Sequence, residues 1–378
     1  MKARSQHRII FSVTNDLSYD QRMIRICGSL ARAGYRVLLV GRQRKNSRPL
    51  IDRDFAQHRL SCFFERGKLF YLEYHLRLFF FLWRQSFTML CAIDLDTLLP
   101  MFYWSRWRGV PLVYDAHEYY TETPEVARRP RVQKIWEAVA RHCIPRIRYA
   151  YTVGAALQAV LSRRYGIDFG LIRNLPQRRS GGAGAKVQPP VILYQGVLNE
   201  GRGISEMLAA LSELEGVQLW LAGEGDLSAA LRAECTTRGL EERVRFWGYL
   251  PPEELAKLSP QASVGLNLLS DHSLNYYYSL ANKTFDYLQA GVPALHRDFP
   301  EYRQLVETYD VGVLVPDLRV DSIVRAVRAL LDDEERYRER VANCGKAAEQ
   351  LTWEREASRL VAFYDRIVTE SRTGQSIQ

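Results

Sequence analysis

The chain has 378 residues, 47% of them hydrophobic and 25% charged, with a formal net charge of +9. It is too apolar for a disordered chain and too long for one ordinary core, so two domains are expected. The positive balance, in which arginine dominates, predicts attraction to an anion: nucleotide phosphate, a lipid surface or nucleic acid.

From the N-terminus, an apolar strand is expected over residues 9–13, then a polar loop, an amphipathic helix stopped at Gly34, and a strand over 37–40. That is a strand–helix–strand opening. The stretch KLFYLEYHLRLFFFLWRQSFTML, residues 68–90, is crowded with bulky apolar side chains and broken by Glu73, His75, Arg77 and Arg84. Four polar interruptions argue against a membrane span. Two readings stay open: a basic, aromatic helix lying in a lipid headgroup plane, or a helix packed between sheet and solvent. Strands follow over 89–93 and 112–114, running into DLDT and DAHEYY. In open parallel sheets ligands sit beyond the carboxyl ends of strands, so these loops should face one crevice. Helices are expected near 131–142 and 154–164.

The segment RRSGGAGAKVQPP, residues 178–190, loses all periodicity and reads as a linker. The alternation then restarts: VILYQG and a helix over 205–214; VQLWLAGEG and a helix to about residue 238; RVRFWGYL and PEELAKL; then ASVGLNLL. YYSLANKTFDYLQAGVPAL, residues 277–295, reads as a helix over 281–289 with Ser279 as N-cap and Gly291 as stop, followed by a buried strand from Pro293. Asn282 and Asp286 lie four apart and share a face, and Lys283 is close to it. Free helix N–H groups and an ammonium suit phosphate, and a carboxylate one turn deeper suits ribose hydroxyls. The competing reading is a solvated face with an i,i+3 ion pair. The tail LTWEREASRLVAFYDRIV has helical spacing and can pack back across the linker.

The second half resembles the donor domain of glycosyltransferase family 4, the retaining enzymes of the GT-B fold. YQGVLNEGRGI is similar to the family's phosphate loop, with Gly196, Asn199, Arg202 and Gly203; LAGEGD, with Glu224 and Gly225, to its next strand-end turn; and VRFWGYLPPEEL, with Tyr249, to its base-side strand. NKTFDYLQAGVPAL resembles the helix carrying the second glutamate of Glu-x7-Glu, here Asp286, which leaves Tyr278 in the place of the first. NDLSYDQRMIR and DAHEYYTETPE look like acceptor-domain loops of a bacterial polysaccharide-assembly branch. They point to Asp16, Asp20, Arg22 and Glu118 on the acceptor side and to His117 as the cleft histidine, and DLDT adds Asp94 as part of an acceptor-cleft loop. Leu198 stands where a basic residue is common, and Leu17-Ser18 where a glycine pair is common.

The resemblance implies an α/β protein of the GT-B fold: two Rossmann-like domains facing across a cleft, with a C-terminal helix crossing back to the first. The expected limits are an acceptor domain at 1–177, a linker at 178–190, a donor domain at 191–350, and a helix with a flexible tail at 351–378. Expulsion of a nucleoside diphosphate builds charge on the leaving phosphate, which Arg202, Lys283 and helix ends would meet, so Arg202 and Lys283 are catalytic candidates; the resemblance adds His117, near the transferred sugar. Asp286 would hold ribose, with Glu224, Tyr249, Tyr278 and Asn282 around base and sugar.

No cofactor and no metal are expected, the nucleotide sugar (UDP- or GDP-linked) being a substrate. DLD at Asp94 and Asp96 mimics a metal-binding pair but lies far from the phosphate loop. GEGD lacks dinucleotide spacing, and neither paired metal-ligand spacing nor a Gly-x-Ser-x-Gly elbow occurs. The expected function is retaining transfer of a sugar to a glycan or lipid-linked saccharide in cell-surface polysaccharide synthesis. A GT-B epimerase or phosphorylase, or a non-catalytic nucleotide-sugar-binding partner, is the alternative. Six scattered cysteines (Cys27, Cys62, Cys91, Cys143, Cys235, Cys344) and no cleavable leader point to core thiols and a cytoplasmic protein, with peripheral contact to an anionic inner membrane face as the open question. Nucleic acid is not expected, for want of a binding motif.

Overall fold

The computed structural model describes residues 4–178 and 184–372; part of the expected linker and the end of the expected tail lie outside the described residues. The chain divides into two units, one running to Asn174 and taking in the residues from Arg355, the other Leu175–Glu354. The divisions thus fall at 174 and 354, beside expected limits of 177 and 350.

The first unit is built on β1 (Arg8–Ser12), β2 (Arg36–Gln43), β3 (Ala56–Ser61), β4 (Met89–Ile93), β5 (Leu112–Ala116), β6 (Tyr149–Thr152) and β7 (Phe169–Leu171), in the order β3-β2-β1-β4-β5-β6-β7. Every pairing is parallel, so each connection must cross a face of the sheet, which is why helices alternate with strands. The central strands are covered on both faces: Ile9, Ile10, Phe11, Leu90, Cys91 and Ala92 are fully buried, and such strands read as unbroken apolar runs. The helices Gly67–Trp83, Leu98–Arg108 and Pro130–Cys143 pack side by side. The Trp104 ring lies 5.1 Å from Phe79 and donates its Nε1–H to the Phe79 carbonyl at 3.0 Å, and Tyr71 meets Trp136 edge-on at 5.1 Å. From Arg355 onward the helix Trp353–Arg372 belongs to this unit. Its Tyr364 is buried 6.1 Å from the Phe11 ring, and its Asp365 accepts from Arg4 Nε at 2.8 Å and the Tyr35 hydroxyl at 2.7 Å.

The second unit has β8 (Val191–Gln195), β9 (Gln218–Ala222), β10 (Val244–Gly248), β11 (Val264–Asn267), β12 (Ala294–Arg297) and β13 (Gly312–Val315), in the order β10-β9-β8-β11-β12-β13, again all parallel. Its core is aliphatic, with Ile192, Leu208, Leu211, Leu219, Leu266 and Leu330 fully buried. In both sheets the strand order reverses once, between β1 and β4 and between β8 and β11. At such a switch point neighbouring crossovers leave to opposite faces, and a crevice opens at the carboxyl ends. Residues 196–203 and 268–281 lie at that end in the second unit, and residues 13–20 and 94–97 in the first.

Some boundaries differ from expectation. The helix expected over 205–214 is Ile204–Leu211, and the strand expected over 9–13 is Arg8–Ser12. The six cysteines are free, five of them buried and Cys62 half-buried.

Candidate active site

In the second unit the chain leaves β8 at Gly196 and enters the loop that ends at Gly203. Gly203 has φ of 67°, and a Cβ there would lie 2.4 Å from the Leu268 carbonyl oxygen. Only glycine lets the loop pass so close to the end of β11. A Cβ on Gly223 would fall 1.8 Å from the Gly196 carbonyl, so the turn after β9 lies directly against the same loop. The two turns are laced by Leu198 N donating to Glu224 O at 3.2 Å, Leu227 N to Leu198 O at 2.9 Å, and Asp226 N to the Asn199 side-chain oxygen at 3.0 Å. Asn199 therefore holds the neighbouring turn through its oxygen. Gly225 N is bonded to Ser228 Oγ at 2.9 Å.

Two cations converge on this loop. The Arg202 guanidinium lies over the Tyr276 ring at 4.8 Å, and its Nε is buried without a hydrogen-bond partner among the described residues. The Lys283 ammonium lies over the Tyr194 ring at 3.6 Å, and a Cβ on Gly196 would sit 3.5 Å from its Nζ. Burial, and after it Arg202, holds the Lys283 pKa well below the ordinary lysine range. Neither cation has an ion pair among the described residues. Aromatic faces hold both, and their mutual repulsion would be relieved by an anion placed between them.

The helix Asn282–Gln289 begins beside them, and here one expectation is corrected. Its N-cap is Ala281, whose side chain makes no capping bond, not Ser279. Ser279 instead donates to the Tyr276 carbonyl at 2.8 Å, because the short helix Leu274–Tyr277 ends there. The helix start is fixed from below: Ala281 N donates to the Tyr302 hydroxyl at 3.0 Å, and Tyr302 stacks on His296 at 5.1 Å. Burial pushes His296 down to about 3, so it is neutral at pH 7, and its Nδ1 lies 3.4 Å from Asn267 Nδ2. Asp286, one turn in, accepts from Gln195 Nε2 at 3.0 Å, and Gln195 Oε1 accepts from Ser259 Oγ at 3.0 Å. The carboxylate is thus tethered to the end of β8.

The structure therefore brings Gly196, Arg202, Gly203, Lys283 and Asp286 together at the switch point. Asn282 is exposed at the helix start. Glu224 forms a half-exposed ion pair with Arg232 at 3.4 Å, Tyr249 is exposed just after β10, and Tyr278 meets Tyr277 edge-on at 4.9 Å. Two substitutions separate the roles of this helix. Asp286→Asn is expected to weaken free nucleotide and nucleotide sugar alike, since both carry ribose. Tyr278→Glu is expected to change donor preference or rate while leaving free-nucleotide affinity within about 0.5 kcal/mol. Calorimetry on both variants checks this; lowered thermal stability with untouched affinity in Asp286→Asn would reduce the helix to a surface element.

In the first unit several acceptor-side candidates carry structure. Arg22 and Asp115 form a buried ion pair at 2.7 Å, with 4% and 0% of their side chains exposed, so Arg22 has no face to offer an acceptor. Asp20 caps the helix Gln21–Arg32, accepting from Met23 N at 2.9 Å and Asn15 Nδ2 at 2.6 Å. Asp94 is buried at φ of 53°, and one oxygen accepts from the amides of His117 at 2.9 Å and Glu118 at 3.4 Å. In these contacts Arg22 and Asp20 support the fold, and Asp94 positions the His117 loop. Asp16 accepts from Ser18 N at 3.1 Å and Ser47 Oγ at 3.0 Å and remains partly accessible, as does Glu118. His117 is solvent-accessible; surrounding protein, then Arg22 and Arg25, pushes its pKa down, leaving the ring neutral at pH 7. Burial raises Asp96 to about 7, and Asp96 accepts from Thr14 Oγ1 at 2.5 Å. Among the described residues no group of three or more His, Cys, Asp or Glu side chains could hold a metal ion.

Residues 179–351, which contain this loop, the two cations and the helix, match the model of the family described as Glycosyl transferases group 1. This segment is thus similar to group 1 glycosyltransferase domains. The chain is 27% identical over 192 residues to the alpha-D-kanosaminyltransferase of Streptomyces kanamyceticus, an alignment covering 50% of this chain and 43% of that enzyme. It spans about half the length of the curated relatives it matches. Among solved structures it superposes on the sucrose-phosphate synthase of Thermosynechococcus elongatus with a TM-score of 0.79 at 18% identity, covering 96% of this chain and 99% of that one. The HepE protein of Anabaena, solved in complex with UDP-glucose, gives a TM-score of 0.74 at 14% identity over 95% and 99% of the two chains. The chain thus shares the GT-B fold of these structures, with two Rossmann-like units. Within the group 1 segment, the sequence reading missed Tyr276 and Tyr194 as platforms for the two cations; no local pattern could have revealed them, because they come from other strands and loops.

Proposed function

We propose that the chain transfers a glycosyl group from a UDP- or GDP-sugar to a glycan or lipid-linked saccharide, with retention at the anomeric carbon and without a metal ion. The observation that carries this reading is the pair Arg202 and Lys283, without ion-pair partners among the described residues and set beside a helix N-terminus at the switch point of the donor-type sheet. As the sugar–phosphate bond breaks, negative charge grows on the leaving diphosphate, and fixed cations aimed at it lower the barrier. Arg202 would supply a forked contact and Lys283 a point charge. Asp286 would anchor the ribose, with the turns around Glu224, Gly225 and Tyr249 beside base and sugar. His117, neutral at pH 7, would accept or donate a hydrogen bond to the transferred sugar. In a front-face reaction the departing phosphate takes the acceptor proton, so no side-chain base is required. The group 1 match and the UDP-glucose held by a structural neighbour support a nucleotide-sugar donor. The same match does not favour an epimerase or phosphorylase, and a cytoplasmic site of action is the compartment in which nucleotide sugars and free thiols coexist.

The test is incubation with a panel of nucleotide sugars, with and without saccharide acceptors, in excess chelator. The expected result is donor breakdown that needs acceptor and persists without divalent metal. Turnover without acceptor would indicate an epimerase or phosphorylase, and binding without turnover a non-catalytic partner. Strict dependence on magnesium or manganese would return Asp94 and Asp96 to consideration as ligands.

A further inference from the structure

Among the described residues no helix is long and apolar enough to cross a membrane, yet one helix is apolar on both sides. The helix Gly67–Trp83 buries Phe70, Tyr74, Leu78 and Leu82 in the first unit. Its opposite side leaves Leu69, Leu72, Leu76, Phe80 and Trp83 exposed by 47%, 57%, 50%, 56% and 60%. At 3.6 residues per turn these five fall within an arc of about 80°, so they form one continuous stripe. A helix apolar all round belongs between two apolar phases, and the protein supplies only one.

Three of the four polar residues that interrupt the segment, Glu73, His75 and Arg77, are engaged within the protein. His75 bonds the Asp96 carbonyl at 2.8 Å. Glu73 accepts from the amides of Phe63 and Phe64 at 2.9 Å each and from Arg77 Nε at 2.7 Å, while the Arg77 guanidinium lies 5.5 Å from the Phe63 ring. This bracing holds Phe63 and Phe64 beside the helix, 85% and 46% exposed. The seven side chains, at about half exposure each, leave on the order of 700 Å² of surface. That exceeds the roughly 300–600 Å² of the largest apolar patch on a typical monomer.

We propose that this face docks on an anionic lipid bilayer surface. Charge selects the occupant: exposed Arg66 and Lys68 flank one end of the stripe, Arg84 the other, and Arg106 and Arg108 are exposed on the neighbouring helix Leu98–Arg108. Over residues 62–87 the one fully exposed acid is Glu65. A second copy of the chain would press the same cations against each other, whereas anionic headgroups neutralise them while the Leu and Phe side chains enter the acyl boundary. The inference stands on this surface alone and does not depend on the donor-site reading.

The experiment is co-sedimentation of the full chain with vesicles of phosphatidylcholine alone and of phosphatidylcholine mixed with anionic phosphatidylglycerol, with circular dichroism and the thermal midpoint measured on each protein as a check of fold. Wild type is expected to pellet with the mixed vesicles and not with neutral ones. Leu72→Ser/Leu76→Ser/Phe80→Ser is expected to lose partitioning by roughly tenfold or more while keeping the wild-type fold by circular dichroism. Phe63→Ser, at an exposed turn that places no demand on the core, is expected to lower it as well, and so is Arg66→Gln/Lys68→Gln/Arg84→Gln. Wild type remaining in the supernatant with anionic vesicles would overturn the proposal. So would triple-serine and Phe63 variants that pellet like wild type, or a lipid-free dimer that the triple-serine variant converts to monomer.

Discussion

Lys283→Met is expected to lower kcat/KM by about 10²–10³-fold, or about 2.7–4 kcal/mol, the scale of removing one fixed donor from a charge that develops in the transition state. Methionine keeps an unbranched side chain as far as Cε and removes the ammonium that lies over the Tyr194 ring. Folding should not suffer. The lysine pKa is lowered in the native state, so between that value and the ordinary lysine value of about 10.4 the unfolded chain binds more protons, and stability rises with pH through the window. Below the window the native chain carries an unpaired charge against an aromatic face, which methionine removes. Chemical denaturation across pH should show that slope in wild type and its loss in the variant. A bound diphosphate reverses the sign, raising the lysine pKa, so nucleotide binding is accompanied by proton uptake that the variant lacks. Unchanged turnover with a flat pH profile in both proteins would remove Lys283 from the reaction.

Arg22→Leu is expected to destabilise the fold by about 3–5 kcal/mol, because it leaves the fully buried Asp115 carboxylate without its partner. Arg22→Leu/Asp115→Leu should recover most of that loss, since removing both charges also removes the desolvation cost. Urea unfolding of the two variants measures the difference. The same experiment separates two roles for Arg22. A residue that touched the acceptor would raise the acceptor KM and leave stability alone, and that result would restore it to the acceptor side.

The architecture was legible because its determinants are local. Buried parallel strands such as β1, β4 and β8 read as short apolar runs, and the glycines at 196 and 203 mark a turn that must approach the neighbouring strand end. The helix Asn282–Gln289 showed itself through the spacing of Asn282, Lys283 and Asp286. What escaped the sequence is long-range pairing. Arg22 and Asp115 are 93 positions apart, so a buried ion pair looked like two loop charges. Asp94 carries a side chain that suits an acceptor, and only the fold shows its oxygen turned onto the amides of His117 and Glu118. Tyr302 and His296, which fix the start of the donor-site helix, belong to β12 and the helix Pro300–Tyr309, and neither stood out as a motif. The Ser279 expectation failed for a different reason. A good capping residue was available, but the preceding short helix took its hydroxyl first.

The central claim is that the second unit holds a nucleoside diphosphate on Arg202 and Lys283 with its ribose on Asp286. Calorimetric titration of UDP and GDP into wild type and Arg202→Ala tests it most directly. Among the described residues Arg202 has a buried, unpartnered Nε and no carboxylate to compensate it, so its loss should be felt by the ligand rather than by the fold. One of the two nucleotides is expected to bind wild type, and Arg202→Ala to weaken that binding by about 1.5–3 kcal/mol, roughly 10- to 150-fold, the worth of hydrogen bonds to a charged group. Equal affinity in the two proteins, or no binding of either nucleotide to wild type, would contradict it.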